Sequence, residues 1–145
     1  MNTLTLEKKT LNLKVDSLSA RVGNTPLLPL HRLTLDLPAS VNIYAKAEWF
    51  NPGGSIKDRA ALNIIHSAIA SGELKPGKRL LDSTSGNTGI AYATFGAAMG
   101  IPVTLALPEN ASQERISILR ALGVELVLTD ASEGPEGSMK VVREM

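Results

Sequence analysis

One lysine stands where covalent chemistry is possible. Asn51-Pro52-Gly53-Gly54-Ser55-Ile56-Lys57-Asp58-Arg59 is a glycine-rich turn running into a helix start. Ser55 with Asp58 three residues later is a capping-box pattern, which places Lys57 in the first helical turn. A cation there opposes the positive end of the helix dipole, at a cost of about 0.3–1 kcal/mol when exposed. Local helix rules therefore give no reason for a lysine. The same field, with partial burial against the apolar side of the helix and a neighbouring cation in Arg59, favours the neutral amine, the form that attacks a carbonyl. A solvent-facing lysine beside an ordinary capped turn also fits this segment, so a second signal is required.

That signal is Asp82-Ser83-Thr84-Ser85-Gly86-Asn87-Thr88-Gly89. It lies between an apolar run and a helical pattern and gathers four hydroxyls and one amide, with glycines at 86 and 89 that let a ligand approach the backbone. A helix N-terminus beyond a strand end offers unpaired N–H groups to an anion. The segment is neither the Walker phosphate loop nor the Gly-x-Gly-x-x-Gly dinucleotide fingerprint, so no nucleotide is implied. An N-cap supplied redundantly by Ser, Thr and Asn fits it as well.

Composition removes other chemistries. There is no Cys, which excludes thiolate metal sites, thiol nucleophiles and disulfides, and two distant histidines, His31 and His66, make a poor metal site. Fifteen Lys and Arg against fourteen Asp and Glu, with five aromatic residues, give neither the charge nor the stacking platforms of a nucleic-acid protein. With 145 residues, 43% hydrophobic and 20% charged, the chain reads as one globular domain able to bury roughly two thirds of its unfolded surface. The N-terminus, with Glu7, Lys8 and Lys9 among scattered leucines, has no export signal, so a cytoplasmic location is expected. No charged side chain lies between Asp82 and Glu109. Its polar start and Gly100-Ile101-Pro102 break make this window a buried helix followed by a buried strand rather than a membrane span.

The elements that must position the two segments follow from periodicity. The first sixteen residues have no clean period and residues 1–20 carry almost no assigned element, and Arg21–Leu28 reads as a turn feeding an extended segment. Val41–Ala47 alternates as a half-buried strand, with Tyr44 and Lys46 outward. Ile56, Ala60, Ala61, Ile64, Ile65, Ala68 and Ile69 form a helical stripe closed by Gly72. Strands are then predicted near Arg79–Leu81, Val103–Leu107 and Val124–Leu128, separated by helices near Thr88–Met99 and Ser112–Leu122. Connections of that length imply right-handed parallel crossovers, hence an α/β fold: an open parallel sheet with helices on both faces, in three α/β/α layers. Asp130–Gly137 reads as a polar loop, and Ser138–Met145 begins another helix.

Taken together the segments resemble the cysteine synthase and cystathionine β-synthase family of pyridoxal-phosphate enzymes. The likeness runs in order from Gly23-Asn24-Thr25-Pro26-Leu27 through Asn51–Arg59, Lys75-Pro76-Gly77 and Thr84–Gly89 to Pro108-Glu109-Asn110 and Ala121-Leu122-Gly123. It implies a fold like the tryptophan synthase β subunit, with residues 1–50 starting a larger cofactor domain and 51–145 forming a smaller, mobile α/β domain. It implies that Lys57 forms the imine with pyridoxal 5'-phosphate and later moves the substrate's α-proton, and that Asn87 hydrogen-bonds the cofactor's ring hydroxyl. Thr84, Ser85 and Thr88, with the Gly86 backbone, would receive the substrate's α-carboxylate. The implied reaction is β-replacement on an activated serine, O-acetylserine or O-phosphoserine, by sulfide or another sulfur donor to make cysteine, in a homodimer without nucleic acid, membrane or metal.

Members of that family are roughly twice this length, and their cofactor-phosphate loop lies downstream of every residue present here. Gly134-Pro135-Glu136-Gly137 lacks hydroxyls, and Glu133 and Glu136 would repel a phosphate. The chain is therefore expected to be the N-terminal portion of a longer enzyme, with a strand and a Gly/Thr-rich turn following Met145. Two other readings remain: a condensation of the cystathionine β-synthase type, and a catalytically silent piece that only binds a partner.

Overall fold

The computed structural model describes residues 17–145; the unassigned stretch 1–16, with its Glu7, Lys8 and Lys9, lies outside them. Three parallel strands make the main sheet: β3 (Leu80–Ser83), β4 (Val103–Pro108) and β5 (Glu125–Thr129), in that spatial order. Before them, β1 (Leu27–Pro29) and β2 (Tyr44–Lys46) pair antiparallel as a separate two-stranded ribbon. The helices are α1 (Lys57–Ala70), α2 (Asn87–Met99), α3 (Gln113–Ala121) and α4 (Gly134–Glu144).

Strand β4 is buried from Val103 to Leu107 and apolar there except at Thr104, as suits a central parallel strand. Burial on both sides requires two covers. The crossover helices α2 and α3 supply one, with α1 packed on α2, and α4 lies across β3, β4 and β5 to supply the other. Helix α2 is apolar on every side, since Ala91, Tyr92, Ala93 and Phe95 are all buried between α1 and the sheet. The approach to the sheet depends on a missing side chain: a Cβ at Gly96 would overlap Val103 Cγ2 and sit 3.0 Å from the Ile101 carbonyl oxygen. The polar exception in β4 is Thr104, fully buried but bonded to Arg79 (2.7 Å) and Glu125 (3.1 Å), which also pair with each other across the three strands.

Several expectations are corrected. The strand expected over Val41–Ala47 is confined to Tyr44–Lys46; Val41 is exposed in a turn closed by its N–H on the Pro38 carbonyl, and Ile43, though its carbonyl accepts from the Leu30 N–H, is also exposed. The stripe on α1 is narrower than predicted: Ala61 and Ile65 are buried, whereas Ile56, Ile64 and Ile69 are exposed. The polar loop expected over Asp130–Gly137 is a single 3-10 turn, Ala131–Glu133, capped by Asp130, after which α4 starts at Gly134. Pro135 is compatible with that early start, because the first helical turn needs no N–H there. A buried hydrogen bond of 2.7 Å between Thr129 and Ser138 ties α4 to β5. Among the described residues no helix is long and apolar enough to cross a membrane.

Candidate active site

The lysine turn is cross-tied, though not by the bonds expected of a capping box. Asp58 continues the inward face of α1, three residues before Ala61 and seven before Ile65, and is completely buried. Its carboxylate therefore reaches back to the Gly53 N–H instead of the Ser55 backbone, and its other oxygen, Oδ1, is buried without a partner among the described residues. Burial pushes the Asp58 carboxyl above its ordinary range, against the Gly53 bond that lowers it. A Cβ at Gly53 would lie 2.5 Å from Asp58 Oδ1, so a side chain there would displace the carboxylate. Ser55 Oγ accepts from the Lys57 N–H at 3.2 Å, and the cap position of α1 is Ile56, with no side-chain cap.

Lys57 is the first residue of α1 and is exposed, so the partial burial expected for it is absent. The Arg59 guanidinium forks onto Glu48, Nε to Oε2 at 2.9 Å and NH2 to Oε1 at 3.0 Å. Thr25 Oγ1 (2.9 Å) and Asn51 Nδ2 (2.8 Å) donate to the same carboxylate. The hydrogen bond from Arg59, with those from Thr25 and Asn51, holds the Glu48 carboxyl down at about 2, against a desolvation that raises it. Glu48 is the residue that sequence reasoning missed. It falls in no periodic pattern, and the only signal was a carboxylate eleven residues from an arginine in a turn of unusual composition.

The second segment joins the carboxyl end of β3 to the start of α2. Gly86 is the cap residue, with extended backbone (φ −99°, ψ −162°) and no side-chain cap bond. The redundant N-cap is therefore not what these hydroxyls make. Thr84 Oγ1 accepts a long bond from the Gly86 N–H (3.4 Å), while the side chains of Ser85, Asn87 and Thr88 have no hydrogen-bond partner among the described residues. A Cβ at Gly86 would meet nothing within 4 Å, so the space above that backbone is open. Gly89, by contrast, is buried, with the Thr84 carbonyl oxygen 3.0 Å from where its Cβ would be. Open space, unpartnered hydroxyls and helix-start amides fit a carboxylate.

Lys57 and the 84–88 turn are not joined by any hydrogen bond among the described residues. They are related by packing, since each stands at the first turn of its helix and α1 lies against α2. A cavity of about 360 Å³ lined by Ile69, Leu74, Met99, Ile101 and Pro102 lies at the opposite, amino end of β3 and β4 and includes neither motif.

Known proteins match both the sequence and the fold. The cysteine synthase of Aquifex aeolicus is 53% identical over 125 residues, covering 86% of this chain and 38% of its own length. A crystal structure of cysteine synthase from Entamoeba histolytica superposes with a TM-score of 0.87 at 38% identity, over 99% of this chain and 43% of that one. The O-acetylserine dependent cystathionine beta-synthase from Helicobacter pylori superposes with a TM-score of 0.81 at 32% identity, over 91% and 43%. The chain thus spans about two fifths of the length of these relatives. The family described as "Pyridoxal-phosphate dependent enzyme" matches residues 18–145, which include the lysine turn, the hydroxyl-rich turn and all three strands of the parallel sheet. The chain therefore belongs to the pyridoxal-phosphate-dependent enzyme family.

Proposed function

We propose that this chain acts within a full-length protein of the relatives' size, where it replaces the β-substituent of an activated serine with sulfide to make cysteine. The observation that carries the reading is the uncapped start of α2, where Ser85, Asn87 and Thr88 stand unpartnered beneath open space over Gly86. Lys57 is the covalent attachment point for the cofactor and the group that moves the substrate's α-proton at Nζ. Thr84, Ser85, Thr88 and the Gly86 backbone orient the substrate by its carboxylate, and Asn87 holds the ring hydroxyl of the cofactor. When bound, pyridoxal phosphate supplies the electron sink for breaking bonds at the substrate's α- and β-carbons. Residues 51–145 form the smaller, mobile unit, residues 1–50 open the larger one, and the protein works as a cytoplasmic homodimer.

O-acetylserine is the activated serine favoured by this reading over O-phosphoserine, because the similar Helicobacter pylori enzyme is O-acetylserine dependent. That same likeness supports a second reading, condensation with homocysteine. Assaying the full-length protein with O-acetylserine separates the two: turnover with sulfide well above that with homocysteine is expected, and a strong preference for homocysteine would reverse the assignment.

A further inference from the structure

The turn that carries Lys57 is held from two sides by the two residues that follow it. Asp58 pins Gly53, and Arg59 forks onto Glu48. Successive helical residues are about 100° apart around the axis, so contacts at two adjacent positions fix both the rotation and the height of the first turn of α1. The direction of the Lys57 side chain follows from that rotation. Glu48 in turn is anchored to segments outside the turn, accepting from Thr25, while Asn51 donates to Glu48 and to the Ser55 carbonyl (3.1 Å) and accepts from the Gly23 N–H (2.8 Å). Lys46 Nζ closes the far side of the network on Thr25. Even Gly23 fits around the pair: its φ is +90°, and a Cβ there would approach to 3.0 Å from Arg59 NH1.

An ion pair this accessible, with the Arg59 side chain 41% exposed, adds little to stability by itself. What a carboxylate with a bidentate guanidinium and two further donors provides is geometry, because the planar fork accepts only one orientation. We propose that Glu48 and Arg59 are positioning residues for Lys57, locking the first turn of α1 so that the amine faces the cofactor's carbonyl carbon. The proposal deepens the reading of Lys57 as attachment point and rests on it.

Full-length protein stripped of cofactor is exposed briefly to pyridoxal phosphate and reduced with borohydride, and labelled lysines are quantified by peptide mass spectrometry. Exposed Lys75 and Lys78 serve as internal controls. Glu48→Gln turns an amide nitrogen toward either Asn51 and Arg59 Nε or Thr25 and Arg59 NH2, donor against donor. It should lower labelling at Lys57 by about tenfold or more without changing Lys75, as expected for a displaced nucleophile. Arg59→Lys keeps the charge without the fork and should give an intermediate loss; if Glu48→Gln does not fold, the Arg59→Lys loss decides. The double variant should be no worse than Glu48→Gln alone. Folded variants labelled at Lys57 at the unmodified rate, or single losses that simply multiply in the double variant, would overturn the positioning role. Unmodified protein labelled no faster at Lys57 than at Lys75 would instead overturn the attachment role, and this proposal with it.

Discussion

Glu48 and Asp58 are the two carboxyls that tie down the lysine turn, and their surroundings push them in opposite directions. Glu48 is surrounded by donors and held near 2, well below its ordinary 4.5, whereas Asp58 is buried with one oxygen unpartnered and raised above 3.8. A lowered carboxyl adds stability that is complete above its unfolded value and is lost as pH falls through the folded one. The difference in urea midpoint between the unmodified protein and Glu48→Gln should therefore shrink as pH drops from about 4.5 to about 2; a difference constant across that window would contradict the network. Asp58 has the reverse sign, contributing most when protonated at low pH and losing that contribution as pH rises through its raised folded value. Lys57 stands out in the sequence because a first-turn lysine opposes the helix dipole, and the 84–88 turn because hydroxyls and glycines crowd between a strand and a helix. Glu48 does not, since its importance depends on chain segments 11 and 23 residues away meeting at one carboxylate.

Helix α2 supports the hydroxyl-rich turn, and its contact with the sheet relies on the absence of a side chain at Gly96. Gly96→Ala should destabilise the protein by about 1–3 kcal/mol, the usual cost of overpacking a close contact. Shortening the facing residue in a Gly96→Ala/Val103→Ala variant should restore part of that loss in thermal unfolding; the same loss in both would show that the helix and strand do not meet as described. The parallel crossovers were readable because strand and helix periods alternate regularly from Leu80 onward. The early start of α4 was not, because Gly134-Pro135-Glu136-Gly137 has loop composition. The helix forms there because Pro135 sits in the first turn and buried Ser138 bonds Thr129 on β5. The short ribbon was only partly readable, since its register depends on β1 meeting β2 across an irregular segment rather than on a pattern within either strand.

Over the whole molecule, burial is uneven. The parallel sheet and its helices enclose a core around Phe95, Leu105, Leu107 and Ile65, while the ribbon and its flanks leave Leu27, Leu33 and Leu35 58%, 65% and 78% exposed. Because the chain spans about two fifths of its relatives' length, those surfaces are expected to be covered in a full-length protein. The 145-residue chain alone should bind a hydrophobic dye strongly and the full-length protein weakly; equal binding would place the exposed leucines at a free surface in both. The role of Lys57 is read most simply from the visible absorbance of the lysine-linked cofactor in full-length Lys57→Ala, with the fold checked by circular dichroism. This absorbance and nearly all turnover should disappear while the fold persists, and Asn87→Ala should keep the absorbance. Near-normal absorbance and turnover in Lys57→Ala would show that the cofactor is attached elsewhere.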